Sequence, residues 1–286
     1  MYKKIMLAMD GSSCSEAALK EAINIANTFN STVIIINVVD INDEIIKASP
    51  GLLDQLIVRA KKIVKNAKEK MDEAHIKSFA FVKEGDPHKT IPQMANEENV
   101  DLIVLGTYGR KGLRLLLMGS VVEETICQAN CDVLIVNERM YTKGKYQSIL
   151  VPYDGSKFSE IALKRACQMV KINQGEILVF YVIPRYEEVL EFFKTSWMKE
   201  ILMREAETII KSAQEIAFKE GILIKTKIEP EDHVDVRIVE TAKQFKIDII
   251  IMGARGLGNL DRIIIGSVVR GVIVNAPCPV LIAKGA

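Results

Sequence analysis

The 286-residue sequence predicts an α/β protein of two three-layer domains, each an open, five-stranded, mostly parallel sheet with helices on both faces. Three observations predict it. Residues 2–20 (YKKIMLAMDGSSCSEAALK) recur in register at 146–164 (YQSILVPYDGSKFSEIALK), which marks a duplication. In both copies, short β-branched apolar runs alternate with stretches of helical periodicity. A glycine-rich loop follows the fourth apolar run of each copy, at 106–121 and 253–268, and both loops fit G-x2-G-x9-G-S-V-V. The polar stretch NERMYTKGKYQS separates the copies and places the domains at 1–143 and 144–286.

The elements follow in order. In the first domain KIMLAM, TVIIINVV, SFAFVKE, DLIVLG and DVLIVN are the expected strands. Between the first two, Ala18, Ala22, Ile25, Ala26 and Phe29 share one helical face. Between the second and third, Leu53, Leu56, Ile57, Ala60, Ile63, Val64, Ala67 and Met71 do the same. The second domain repeats the pattern with SILVPY, EILVFYV, IKTKIEP, DIIIMG and PVLIAK. Its long helix is expected to bury Ile201, Ala206, Ile209, Ile210, Ala213 and Ile216. Strands that are apolar almost throughout are buried on both faces, so the sheets are parallel and their crossovers right-handed.

Composition excludes several classes. A formal net charge of +1 supplies no bulk basic field for nucleic acid or a membrane surface. The longest apolar runs fall well short of the roughly 20 residues of a membrane span. The opening MYKKIMLAMDGS breaks at Asp10 and reads as a first strand, not a signal peptide. Five scattered cysteines fit a reducing cytoplasm; Cys127 and Cys131 stand at helical spacing with no histidine cluster beside them, which makes them structural.

Ligands of open α/β sheets bind outside the carboxyl ends of the strands, where strand order reverses. The first strands lead into Asp10 and Asp154, each opening D-G-S; the second end in Val38-Val39-Asp40 and Val182-Ile183-Pro184; the fourth at Gly106 and Gly253. Adjacent strands would bring these features into one cleft per domain. Gly106 and Gly109, like Gly253 and Gly256, would let the backbone approach a ligand or take positive φ. Gly119-Ser120 and Gly266-Ser267 open helices, where free amides and the helix dipole favour an anion. Each serine either caps its helix or meets a phosphate oxygen.

These motifs resemble the universal stress protein family, two of whose domains would fill essentially the whole chain. The resemblance implies an adenine nucleotide alpha hydrolase-like fold in each half, with the halves related by a pseudo-two-fold. CDVLIVN and CPVLIAK would pair across it as an intramolecular pseudo-dimer, and further association into a homodimer stays open. It also implies the ATP-binding subgroup, which carries G-x2-G-x9-G-[ST]. By position, Asp10 and Asp154 would approach the ribose or a phosphate-bound Mg²⁺, Val38 and Val182 would meet the adenine edge through their backbone, and Leu105 and Met252 would line base and sugar. Gly119, Ser120 and Val121, with Gly266, Ser267 and Val268, would hold the phosphates. The halves depart from the family pattern differently. Pro152 is kept but Ala8 replaces its counterpart, Gly85-Asp86-Pro87 becomes Asp232-His233-Val234, and Tyr108 stands where Arg255 is typical. Equal affinity of the two sites is therefore not expected.

The loops lack the Walker lysine, and no histidine or glutamate recurs in them as a base, so the chain is not expected to be an enzyme beyond slow ATP hydrolysis. Lys111, Arg114 and Arg262 are loop cations, and His75, His88 and His233 read as surface residues. Adenylylation needs S-G-G-x-D-S after the first strand, where this chain has D-G-S-S-C-S. Residues 189–198 (VLEFFKTSWM) read as core or lid packing, and the lysine-rich face of 61–70 as a solvated helix surface. The expected function is a cytoplasmic, nucleotide-dependent stress-response sensor or regulator. The alternative is a non-catalytic protein-interaction scaffold whose clefts are empty or hold nucleotide structurally.

Overall fold

The computed structural model describes residues 1–41, 50–107, 118–140, 145–184, 196–231, 233–256 and 265–285. The chain divides into two compact units, Met1–Gly144 and Lys145–Gly285. The first contains β1 (Lys4–Ala8), α1 (Ser13–Phe29), β2 (Thr32–Asp40), α2 (Pro50–Glu73), β3 (Ser78–Gly85), α3 (Pro87–Glu97), β4 (Leu102–Gly106), α4 (Ser120–Gln128) and β5 (Asp132–Val136). The second contains β6 (Ser148–Pro152), α5 (Lys157–Asn173), β7 (Glu176–Pro184), α6 (Ser196–Lys219), β8 (Lys225–Glu231), α7 (Val234–Gln244), β9 (Ile249–Gly253), α8 (Ser267–Asn275) and β10 (Val280–Ala283).

Strand order is β3-β2-β1-β4-β5 in the first unit and β8-β7-β6-β9-β10 in the second. Pairing is parallel throughout each unit. The order reverses between β1 and β4, and again between β6 and β9, so the expected strand ends do converge. Central strands carry no exposed side chain: Ile5, Met6, Leu7, Leu102, Ile103 and Val104 are each 0% accessible, as are Ile249, Ile250 and Ile251. Helices on both faces account for that burial. Among the described residues no helix is long and apolar enough to cross a membrane.

The duplication extends to capping. Ser12 and Ser156 each cap a helix by accepting an N–H three residues on, from Ser15 and Ser159, both at 3.2 Å. Asp101 and Asp248, which precede the fourth strands, also have matching tasks. Asp101 Oδ2 accepts the Lys3 and Lys4 amides at 2.7 and 2.8 Å, and Asp248 Oδ2 accepts those of Gln147 and Ser148 at 3.0 and 2.9 Å. Each carboxylate ties the start of its first strand to the start of its fourth.

One expected core residue is not in the core. Ile201 is 47% exposed, and the buried stripe of α6 begins only at Ala206. The helix has 24 residues, roughly 36 Å, against the roughly 30 Å of the nine-residue strand β7. Its first turns therefore overhang the carboxyl end of the sheet.

An ion-pair cluster braces the edge strand of the second unit. Arg237 Nε donates to Glu229 at 2.5 Å, and Lys227 lies 2.9 Å from the same carboxylate. The Arg237 guanidinium, ahead of Lys227, holds the Glu229 carboxyl below the usual carboxylate range. A depressed folded-state value means the pair stabilises above the unfolded value of about 4.3 and stops doing so as pH falls through the folded one. Glu229→Gln is expected to cost less than about 1 kcal/mol at neutral pH. Urea midpoints taken from about pH 7 to about pH 3 should show variant and parent converging as acid protonates the pair.

Candidate functional site

Each first strand runs into a D-G-S turn. Gly11 and Gly155 hold φ of 76° and 79°, a region that a side chain disfavours. Asp10 Oδ1 accepts the Ser12 amide at 2.9 Å, and Asp154 Oδ1 accepts the Ser156 amide at 3.0 Å. One oxygen of each carboxylate thus shapes the turn. In the first unit Asn37 Nδ2, on β2, donates to the Met9 carbonyl at 2.5 Å and braces the turn from beside. In the second, Tyr153 takes over that part: its hydroxyl meets Ser212 Oγ on α6 at 3.0 Å, and burial pushes the phenol pKa up.

The loop glycines divide into two kinds, which corrects the expectation that all of them admit a ligand or take positive φ. A Cβ on Gly106 would lie 2.8 Å from the Cys14 carbonyl carbon and 2.9 Å from the Ser15 nitrogen; on Gly253 it would lie 2.8 Å from the Phe158 carbonyl carbon and oxygen. Neither glycine is at positive φ. They are glycine because the first turns of α1 and α5 rest directly on the ends of β4 and β9. Gly256 serves the site itself, since a Cβ there would come 2.5 Å from Asp154 Oδ2. Gly266 has no such neighbour. Its φ and ψ, −62° and 148°, suit any residue, and a Cβ would meet only Val269 Cγ2 at 3.9 Å.

Gly119 and Gly266, not the serines, are the N-cap residues of α4 and α8, and neither helix has a side-chain cap. Ser120 and Ser267 are first-turn residues with exposed side chains. The capping alternative is therefore set aside for both. The first amides of each helix have no intrahelical acceptor. In the first unit the loop ends are drawn together by the Gly119 amide on the Thr107 carbonyl at 3.1 Å, and Thr107 is held on the Val136 carbonyl by its amide at 2.9 Å and its hydroxyl at 3.0 Å.

In the second unit these parts enclose a cleft of about 260 Å³. Every residue expected there lines it: Asp154, Val182, Met252, Gly253, Gly256, Gly266, Ser267 and Val268. Its volume lies just under the roughly 300–1,000 Å³ of small-molecule sites. Phe180, Val234 and Ile238 supply apolar walls that sequence reasoning missed. The signal was available, since Val234 and Ile238 stand four apart at the start of the helix after the third strand. Arg255 lies at the mouth, its guanidinium 5.8 Å from the centre of the Phe158 ring. In the first unit Asp10, Val38, Leu105, Gly106, Gly119, Ser120 and Val121 occupy the corresponding strand and helix ends. Gly109, Tyr108, Lys111, Arg114 and Arg262 lie outside the described residues, as do Phe192 and Phe193. His75 and His233 are exposed, and His88 is half-buried in the first turn of α3.

The universal stress protein family model matches residues 1–137 and again residues 145–284. The chain belongs to that family. It is a tandem universal stress protein, with one family domain in each unit. A universal stress protein of Methanocaldococcus jannaschii is 37% identical over 142 residues, covering 48% of this chain and 84% of that protein. A second one from the same organism is 29% identical over 157 residues, covering 49% of this chain and 97% of the relative. The crystal structure of a universal stress protein from Archaeoglobus fulgidus superposes with a TM-score of 0.76 over 98% of this chain and 96% of that one; at 24% identity the likeness is one of fold.

Proposed function

We propose that this tandem universal stress protein binds ATP in one cleft per unit and acts as a nucleotide-dependent regulator of stress responses. One observation carries the proposal: the residues that the duplicated motif singled out line a single cleft in the second unit. Phosphates would lie on the Gly266-Ser267 helix start, where amides and dipole favour an anion. The base would lie against Phe180, Val182 and Met252. In the first unit Gly119-Ser120 and Val38 would do the same work.

Mg²⁺ fits as an ion carried in by the phosphates. Among the described residues no three carboxylate, histidine or cysteine side chains converge into a metal site, while Asp154 presents its second oxygen beside Gly256. One carboxylate plus phosphate oxygens is a usual Mg²⁺ set. Asp154, and Asp10 in the first unit, would hold it. Among the described residues, the charged side chains lining the cleft are Asp154 and Arg255. Such a pair positions a phosphate and its cation, so we assign binding, with at most slow hydrolysis, rather than dedicated phosphoryl transfer. The second cleft should be the stronger, because α8 carries Arg270 where α4 carries Glu123.

Denaturing the purified chain and identifying released nucleotide by mass spectrometry tests the occupant. Calorimetry tests the sites: Gly119→Val and Gly266→Val should each remove about one equivalent of bound ATP. Unchanged stoichiometry in both would show that these loops are not the site, and a chain that neither carries nor binds nucleotide would favour the scaffold alternative.

A further inference from the structure

The edge strand of the first unit carries a second feature, remote in purpose from the clefts. Along β3 the even-numbered Ser78, Ala80 and Val82 turn inward, while Lys77, Phe79, Phe81 and Lys83 are exposed. Phe79 is 48% and Phe81 39% accessible, a large apolar commitment for a strand at a sheet edge. Neither lysine is in an ion pair among the described residues; Lys77 stands over the Phe79 ring, 5.7 Å from its centre.

The duplicated unit is an internal control. Register places Phe79 opposite Ile34 and Lys225 opposite Leu178, so Lys225, Lys227 and Glu229 of β8 match Phe79, Phe81 and Lys83. That second edge is guarded by charge, with Lys225 on Glu176 and Lys227 and Arg237 on Glu229. Pro230 also removes a donor from it. The edge of β3 has lysines too, but it places two exposed phenylalanines where β8 has ion-paired lysines.

We infer that β3 is a binding strip for single-stranded nucleic acid. Exposed aromatics provide stacking platforms for bases, and flanking cations meet phosphates. Same-face residues on a strand repeat at about 6.6 Å, within reach of one nucleotide step of an extended chain. The stretch KSFAFVKE also follows the RNA-binding strand signature Lys/Arg-Gly-Phe/Tyr-Gly/Ala-Phe-Val-x-Phe/Tyr except for Ser78 in place of glycine and Glu84 in place of the last aromatic. The strip is local, so a net charge of +1 does not count against it. Charge complementarity selects this occupant over a second copy of the chain, whose own lysines would face these.

The test is fluorescence anisotropy of labelled oligouridylate and oligothymidylate, about ten nucleotides long, on the full chain with saturating ATP so that the clefts do not compete. Phe79→Ala and Phe81→Ala should each weaken binding by roughly fivefold or more, and the corresponding tyrosine variants should retain it. Two phosphate contacts predict a slope of log K against log salt of about −1.4, which Lys77→Ala with Lys83→Ala should largely abolish. Lys225→Ala with Lys227→Ala should change nothing, and duplex RNA should not bind. Circular dichroism confirms that each variant is folded. No binding by the parent chain, or binding indifferent to both phenylalanines, overturns the inference. So does a dimer seen in sedimentation that Phe81→Lys dissociates, since a second copy would then cover the strip.

Discussion

Gly253→Ala should destabilise the second unit by about 2–3 kcal/mol, while Gly266→Ala in the same motif should leave stability nearly unchanged. At Gly253 the new Cβ would fall 2.6 Å from Phe158 Cβ and 2.8 Å from that residue's carbonyl group. Backbone cannot rotate aside, so the first turn of α5 must lift from β9. That opens packing around a strand whose Ile249, Ile250 and Ile251 are wholly buried. A thermal transition lowered by about 5–10 °C is the expected readout. At Gly266 the added methyl meets one side-chain atom at 3.9 Å, and the backbone angles are already those of an ordinary residue. A poorer N-cap and a stiffer unfolded chain are small effects of opposite sign. What Gly266→Ala should lose is nucleotide, tenfold or more by calorimetry, because the methyl occupies the space over the first amides of α8. Two stable variants would show that α5 does not rest on Gly253. Full ATP affinity in Gly266→Ala would remove the reason given for that glycine.

That contrast marks what was legible in the sequence and what was not. The repeat, the strand runs and the convergence of Asp154, Val182 and Gly253 were readable, because parallel strands are apolar almost throughout and ligand sites of such sheets lie at carboxyl ends. The spacing G-x2-G-x9-G-S also located the loops. It could not say which glycine does what. Gly106 and Gly253 look like Gly266 in a motif, yet their cause is a helix turn that sequence separation hides: Cys14 and Phe158 lie far away along the chain. For a related reason the sequence alone leaves open whether Ser120 and Ser267 cap their helices or meet a phosphate, since a serine at a helix start is a cap only when it precedes the first helical residue. Ile201 kept the right period but stood beyond the end of the sheet. Periodicity reports which face a residue shares, not whether a strand extends far enough to cover it.

The aspartates before the fourth strands show a motif residue whose role only the fold discloses, and Asp248→Ala should lower stability by about 2–4 kcal/mol. In sequence Asp101 and Asp248 merely mark where DLIVL and DIIIM begin. In the structure Asp248, 4% exposed, accepts the amides of Gln147 and Ser148 through one oxygen. Alanine would leave two part-buried donors at the start of β6 without that charged acceptor, and a hydrogen bond to a charged group contributes more than a neutral one. The register of β6 against β9, Ile149 beside Ile249 and Leu150 beside Ile250, begins at this point. Asp248→Asn keeps a carbonyl oxygen where the carboxylate oxygen was, so it should recover a substantial part of the loss, with the remainder measuring the charge on those bonds. Urea unfolding of the three proteins at one pH separates the contributions. Asp101→Ala should follow the same order with a smaller effect, because Asp101 is only half-buried where Asp248 is buried, so water more readily replaces the lost acceptor. Equal losses in both units would mean that the tie itself, and not its burial, sets the cost.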